Sequence, residues 1–267
     1  MKALFTYGLF ELNKRIRYNE DTIIRLANRG MMNQMKSIVL AGDYGYIRQI
    51  ETTIKSLCCY HEGLLIYVFN QDIPQEWFIN TRKKVKGTGN DLLDIKLLRD
   101  DLRMKWEEST YSHINYMAYA RYFIPEYVKA DRALYLDCDL VVTQNLDHLF
   151  DLDLEDYYIA AVRATFGLGI GFNSGVMLLN NKRWREENIS QQLVELTDRE
   201  IERVLEGDQS ILNMLFEEQY LELEDSYNFQ IGFDMGAAQY GHDFVFDIPL
   251  SPLPAPPYSS AHRIRKQ

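Results

Sequence analysis

An α/β fold with a mixed, mostly parallel sheet flanked by helices is predicted for this 267-residue chain from three features. Short apolar runs alternate with segments of helical spacing. The helical segment after the first run carries apolar residues at Ile47, Ile50, Ile54 and Leu57. Carboxylates stand where apolar runs end, at Asp43 and at Asp137 and Asp139, and the carboxyl ends of strands are where such sheets bind ligands.

In chain order, residues 1–34 become polar and charged after the first ten and read as a separable N-terminal extension, leaving a domain at 35–267. Ser37 to Gly42 reads as a strand, Asp43-Tyr44-Gly45-Tyr46 as a turn and Ile47 to Cys58 as a helix. Leu64 to Phe69 is a second strand, Pro74 to Lys84 a helix, Asp94 to Leu97 a short third strand and Ile114 to Tyr127 a helix. The apolar run Leu134 to Val142 follows, then a strand at Tyr158 to Val162 and a glycine-rich turn at Gly167 to Gly171. Phe172 to Gly175 reads as a polar turn entering a strand, with a helical region from Trp184 to about Leu205. Asp208 fits the N-cap of a further helix. After Tyr220 the chain reads as loop-rich and then proline-rich.

With 29 basic and 39 acidic residues the formal net charge is -10, which argues against nucleic acid or an anionic membrane as the main partner. Three cysteines, Cys58, Cys59 and Cys138, give neither a disulfide framework nor a zinc spacing and read as reduced thiols of a cytoplasmic protein. No apolar segment reaches the roughly 20 residues that span a bilayer, and peripheral contact with a membrane stays compatible with the sequence.

The most informative residues are Asp137 and Asp139, which interrupt an apolar run. An isolated buried carboxylate is costly. In an extended chain residues i and i+2 point to one side, so a hard divalent cation with oxygen ligands would satisfy both. Taken alone, the pair equally describes strand-end carboxylates capping a turn.

Five elements then occur in a familiar order: Ile38-Val39-Leu40-Ala41-Gly42-Asp43 with Tyr46; Tyr119-Ala120-Arg121; Tyr135-Leu136-Asp137-Cys138-Asp139; Phe172-Asn173-Ser174-Gly175-Val176; and Asp208-Gln209 before Leu212-Asn213. Together they resemble glycosyltransferase family 8, the retaining enzymes that include glycogenin and bacterial lipopolysaccharide galactosyltransferases, over about residues 36–250. The resemblance implies a GT-A fold, a Rossmann-like nucleotide-diphospho-sugar transferase domain. It also implies transfer of a hexose, glucose or galactose, from a UDP-sugar to a glycan, lipid-linked or protein-linked acceptor, with Mn²⁺ or Mg²⁺ as cofactor and a role in bacterial cell-surface glycans. By resemblance, Ala41, Asp43 and Tyr46 form the uracil and ribose pocket, where a ring stacks on the base and a carboxylate accepts its N–H. Arg121 and Cys138 join the donor contacts, Asp137 and Asp139 hold the metal, and Asn173 and Ser174 meet sugar hydroxyls. Asp208 and Gln209 are the catalytic positions beside the donor sugar. A sugar nucleotidyltransferase would want a glycine-rich phosphate loop after the first strand, which Asp43-Tyr44-Gly45-Tyr46 is not.

Two departures qualify the resemblance. Gly45 stands where the family commonly has a polar residue. From about Pro254 the tail is atypical: the family ends with His-x-x-Gly-x-x-Lys-Pro-Trp, whose His completes the metal site and whose Lys binds diphosphate, and no such motif follows Leu253. His262 and Lys266 stand closer together than that His and Lys. A shortened gene or a shifted reading frame is the expectation. It makes reduced turnover, or a catalytically impaired UDP-sugar-binding protein, the rival to an active transferase.

Overall fold

The computed structural model describes residues 35–97, 116–164, 171–204, 206–217, 219–230 and 264–266. The N-terminal extension, the glycine-rich stretch before Gly171 and the tail up to 263 lie outside the described residues.

The chain opens with β1 (Lys36–Ala41), a 3-10 turn at Tyr44–Tyr46 and α1 (Ile47–Tyr60). Next come β2 (Leu64–Asn70), α2 (Gln75–Lys86) and β3 (Asp91–Lys96). A 3-10 segment at Tyr116–Phe123 leads into the single turn α3 (Ile124–Tyr127), β4 (Arg132–Leu136) and β5 (Leu140–Val142). After a 3-10 turn at Asp147–Asp151 come β6 (Ile159–Arg163), β7 (Phe172–Asn180), α4 (Asn181–Glu186) and α5 (Ile189–Glu200). The last elements are α6 (Asp208–Phe216), β8 (Tyr220–Leu223), a 3-10 turn at Asp225–Asn228, β9 (Phe229–Gln230) and β10 (Ile264–Lys266).

Among the described residues one seven-stranded sheet runs in the order β3-β2-β1-β4-β7-β6-β8. The pairs β3/β2, β2/β1, β1/β4 and β6/β8 are parallel, and β7 is antiparallel to both neighbours. Each face is covered: Val39, Tyr67 and Tyr135 pack with Tyr119, Tyr122, Trp184 and Phe216, while Ile38, Ile66 and Leu134 pack with Ile54, Leu57 and Phe78. Coverage on both faces explains why these strands read as continuous apolar runs. Because β1 has β2 on one side and β4 on the other, the strand order reverses there, and the crevice outside their carboxyl ends is the natural ligand position.

Several sequence expectations change. The apolar run 134–142 is two strands: β4 ends at Leu136, Cys138 and Asp139 form a turn, and β5 joins a separate three-stranded sheet in the order β5-β10-β9. The Thr53 hydroxyl, from α1, lies 2.8 Å from both the Cys138 and the Leu140 carbonyl oxygens and so stabilises that turn from below. The region expected as one helix up to Tyr127 is 3-10 from Tyr116 and then a separate α turn. Pro125 has no N–H to donate to the residue 121 carbonyl, so one continuous α-helical ladder cannot pass. The third strand starts at Asp91, earlier than its polar residues suggested, because Arg82 pairs with Asp91 and the Asn70 amide donates to Asp94 at 2.7 Å. Phe172 to Gly175 is already strand, and the chain after Tyr220 contains β8 and a 3-10 turn rather than loop alone. The helical region starts at Asn181 and breaks before Ile189, where Asn188 is left-handed at φ 52°. Gly207, not Asp208, occupies the N-cap of α6. Of the tail, the described part is β10, antiparallel to β5 and parallel to β9.

Candidate active site

Adjacent parallel strands β1 and β4 deliver the two predicted carboxylate groups to one crevice. Ala41 closes β1, and Asp43 caps the following turn by accepting the Gly45 N–H at 2.8 Å, a bond that uses the backbone where the polar side chain is missing. Tyr46 is half-buried, and its phenol is pushed up by burial and then by Cys138, Asp139, Asp43 and Asp137. A Cβ on Gly42 would stand 3.1 Å from Ile50 and 3.7 Å from the Cys138 sulfur, so the turns after β1 and β4 approach closely there. Cys138 is buried, and its thiol is pushed well up by burial, Asp137 and Asp139, which keeps it protonated and unreactive.

The other side of the crevice is organised by Arg121, only 5% exposed. Its Nη1 donates to the Ser174 carbonyl at 2.6 Å and its Nη2 to Asp137 Oδ1 at 3.3 Å. Nε donates to the Ala118 carbonyl at 2.9 Å and lies 3.0 Å from Asp208 Oδ2. The guanidinium also sits 4.4 Å from the centre of the Tyr135 ring. Burial works against its charge, and Asp208, then Tyr135 and Asp137, outweigh that effect and hold it above its ordinary range. The Tyr135 hydroxyl donates to Asp137 Oδ1 at 3.0 Å, and its phenol is raised by burial, so it stays a donor.

Strand β7 is pinned to α6 by side-chain amides. Asn213 exchanges two hydrogen bonds with the Phe172 backbone, at 2.7 and 2.8 Å. A Cβ on Gly171, at φ +81°, would lie 1.9 Å from the Asn213 oxygen, so only glycine fits there. Gln209 Oε1 accepts the Ser174 N–H at 3.0 Å, while its Nε2 donates to Glu206 at 3.1 Å. Asn173 Oδ1 accepts the Gly175 N–H at 2.9 Å and Asn228 Nδ2 at 2.7 Å.

Asp137, Arg121, Ser174, Asp208 and Gln209 are thus connected by direct contacts, and Asp43 and Tyr46 face the same turn. Sequence reasoning missed Tyr135, Thr53, Asn213, Glu206 and Asn228. Tyr135 and Asn213 stood inside quoted motif elements without a role, and Tyr135, two residues before Asp137, points to the same side. Among the described residues no group of three His, Cys, Asp or Glu side chains is gathered for a metal. Asp137 and Asp139, half-buried oxygen donors on one turn, fit a hard cation chemically, and His262 lies outside the described residues.

The model of Glycosyl transferase family 8 matches residues 37–247. The chain is 57% identical over 224 residues to the glycosyltransferase GlyE of Streptococcus pneumoniae serotype 4, covering 84% of this chain and 55% of GlyE. It is 42% identical to GlyA of the same organism, covering 84% of this chain and 31% of GlyA. The chain therefore spans about half or less of the length of these relatives. The crystal structure of GlyE superposes with a TM-score of 0.72 at 52% identity, over 87% of this chain and 54% of that one. The galactosyltransferase LgtC, crystallised with donor and acceptor sugar analogs, shares the fold at 24% identity and a TM-score of 0.70, over 86% of each chain. With a family match across most of its length and a GT-A sheet of this topology, the chain belongs to glycosyl transferase family 8.

Proposed function

We propose that this chain is a retaining glycosyltransferase domain that moves a hexose from a UDP-sugar to a glycan or glycoconjugate acceptor. The observation that carries the proposal is the Arg121 network, which ties the Asp137 turn, the Ser174 strand and the Asp208–Gln209 helix into one preorganised wall beside the β1/β4 crevice. Family membership supports the donor class. In this reading Asp43 and Tyr46, with the Ala41 and Cys138 backbone, hold the nucleoside: the ring stacks on uracil and the carboxylate accepts its N–H.

Asp137 and Asp139 would hold a divalent cation such as Mn²⁺, which neutralises charge on the diphosphate when bound. Asn173 and Ser174 orient sugar hydroxyls, and Gln209, braced by Ser174 and Glu206, faces the anomeric carbon. Asp208 is held by Arg121 next to that carbon. The acceptor hydroxyl attacks on the face from which UDP departs; the new C–O bond forms as the bond to phosphate breaks, and the departing phosphate oxygen takes the hydroxyl proton. Configuration is retained without a protein nucleophile.

Three free thiols, at Cys58, Cys59 and Cys138, support a reducing, cytoplasmic setting for this domain. No helix among the described residues is long and apolar enough to cross a membrane. The test is UDP release from UDP-glucose and UDP-galactose in the absence of acceptor, where water replaces the acceptor. Slow release from one of them is expected. Release only from ADP- or GDP-sugars overturns the base pocket, and binding with no release at all favours a UDP-sugar-binding protein.

A further inference from the structure

We infer that Asn228, outside every sequence motif, is a positioning residue of the donor-sugar site: it fixes the orientation of the Asn173 amide and offers a buried acceptor oxygen beside it. The inference rests on the UDP-sugar reading above and assigns a residue that reading does not use.

A chain of donors and acceptors fixes the orientation of both amides. The Gly175 N–H can only donate, so the Asn173 atom 2.9 Å away is the carbonyl oxygen. That same oxygen lies 2.7 Å from the Asn228 amide, so the Asn228 atom facing it is the NH₂ group. Two donors on one carbonyl saturate both of its lone pairs. They leave the Asn173 NH₂ as the end that can meet a ligand, a donor suited to a sugar hydroxyl oxygen. Without Asn228 the Gly175 bond alone would hold the amide, which could then tilt about its last torsion.

Asn228 is itself 5% exposed, on the 3-10 turn Asp225–Asn228 that precedes β9. Its own Oδ1 is buried and has no hydrogen-bond partner among the described residues. A buried acceptor in that state is uncommon and calls for an explanation. Beside an amide aimed at the donor site, a hydroxyl-rich ligand supplies one, since each sugar hydroxyl can donate as well as accept. The turn around Asn228 adds a second anchor: the Tyr227 hydroxyl lies 2.6 Å from His148 Nε2. The position of Asn228 is therefore set independently of the site it serves.

The experiment is a double-mutant cycle on the full chain with Asn173→Ala, Asn228→Ala and the pair, measuring affinity for UDP and for the UDP-hexose that the unaltered chain releases. Asn228→Ala is expected to weaken UDP-hexose about five- to tenfold while leaving UDP affinity unchanged, and to add little once Asn173 is already alanine. Asn228→Gln, which keeps an amide, restores part of the loss, and a merely structural role would not separate the two ligands. Equal losses for UDP and UDP-hexose, or effects of the two substitutions that add fully, overturn the inference. If Asn228→Ala is poorly folded, Asn228→Asp gives the same reading, because a carboxylate cannot donate to Asn173. Failure of the donor reading looks different: the unaltered chain then binds UDP-hexoses no better than other nucleotide sugars.

Discussion

Two buried arginine–aspartate pairs sit at opposite ends of the parallel strands, and they are built differently. Arg82 closes on Asp91 in a fork, Nε to Oδ1 at 2.6 Å and Nη2 to Oδ2 at 2.8 Å, joining α2 to the start of the next strand, β3. Arg121 spreads its nitrogens over the Ala118 and Ser174 carbonyls and the Asp137 and Asp208 carboxylates. The local fork joins neighbouring segments, and the contacts that share its carboxylate, the Leu92 N–H at 2.8 Å and Lys86 at 3.7 Å, come from the same two elements. A distributed guanidinium sets the relative positions of three segments, so its loss displaces groups that do not touch it. The first is a clip in the fold; the second is the frame of the candidate site.

The largest expected effect follows from removing that frame. Arg121→Ala removes the guanidinium that lies 3.0 Å from buried Asp208 and should cost about 3–5 kcal/mol of stability together with nearly all turnover. Arg121→Lys keeps the charge but cannot span several directions from one ammonium, so turnover should fall far more than melting temperature. Arg82→Ala should lower the melting temperature comparably to Arg121→Ala while leaving turnover per folded molecule unchanged. If Arg82→Ala and Arg121→Lys depress turnover equally, the distinction between clip and frame fails.

Gln209→Ala comes next. The loss of its acceptor leaves the Ser174 N–H unsatisfied, which should cost about 1–3 kcal/mol, and turnover should drop strongly with UDP affinity preserved. A stability loss with normal turnover per folded molecule would make Gln209 a brace only.

A smaller effect sharpens the contrast from outside both pairs. Burial lowers the pKa of His148, against the opposing pull of Asp147 and Asp151, so the folded protein holds it neutral more readily than the unfolded chain does. The contribution to stability is present above the unfolded value and is lost as pH falls through it toward the folded value. Melting temperature should fall between pH 7.5 and 5.5, and less so in His148→Gln. An identical pH profile in that variant assigns the acid sensitivity elsewhere. The smallest expected effect is deletion of residues 1–34, which should leave UDP binding intact; an insoluble product would show that the extension packs on the domain.

Much of the fold was legible because its strands are covered on both faces and stand out as apolar runs. The misreadings cluster where side chains overrule local pattern. Asp91 could open a strand because Arg82, on the preceding helix, neutralises it, and residues 134–142 broke in two because Thr53 on another element holds the turn carbonyls. Phe172 to Gly175 looked like a turn by composition, yet Asn213 and Gln209 supply the hydrogen bonds that keep it extended. In the site, the carboxylates and Arg121 were visible as motif residues. Supports such as Glu206 and Asn228 are ordinary residues whose role exists only once the chain is folded.

The most direct test is calorimetry of UDP binding with and without Mn²⁺ in the unaltered chain, Asp137→Asn and Asp139→Asn. Two carboxylates on one turn at the β1/β4 crevice predict binding that needs Mn²⁺ and is lost in both variants, with melting temperature changed little in Asp139→Asn. Equal UDP affinity without Mn²⁺, or unaltered metal-dependent binding in Asp139→Asn, would contradict a donor site built on this pair.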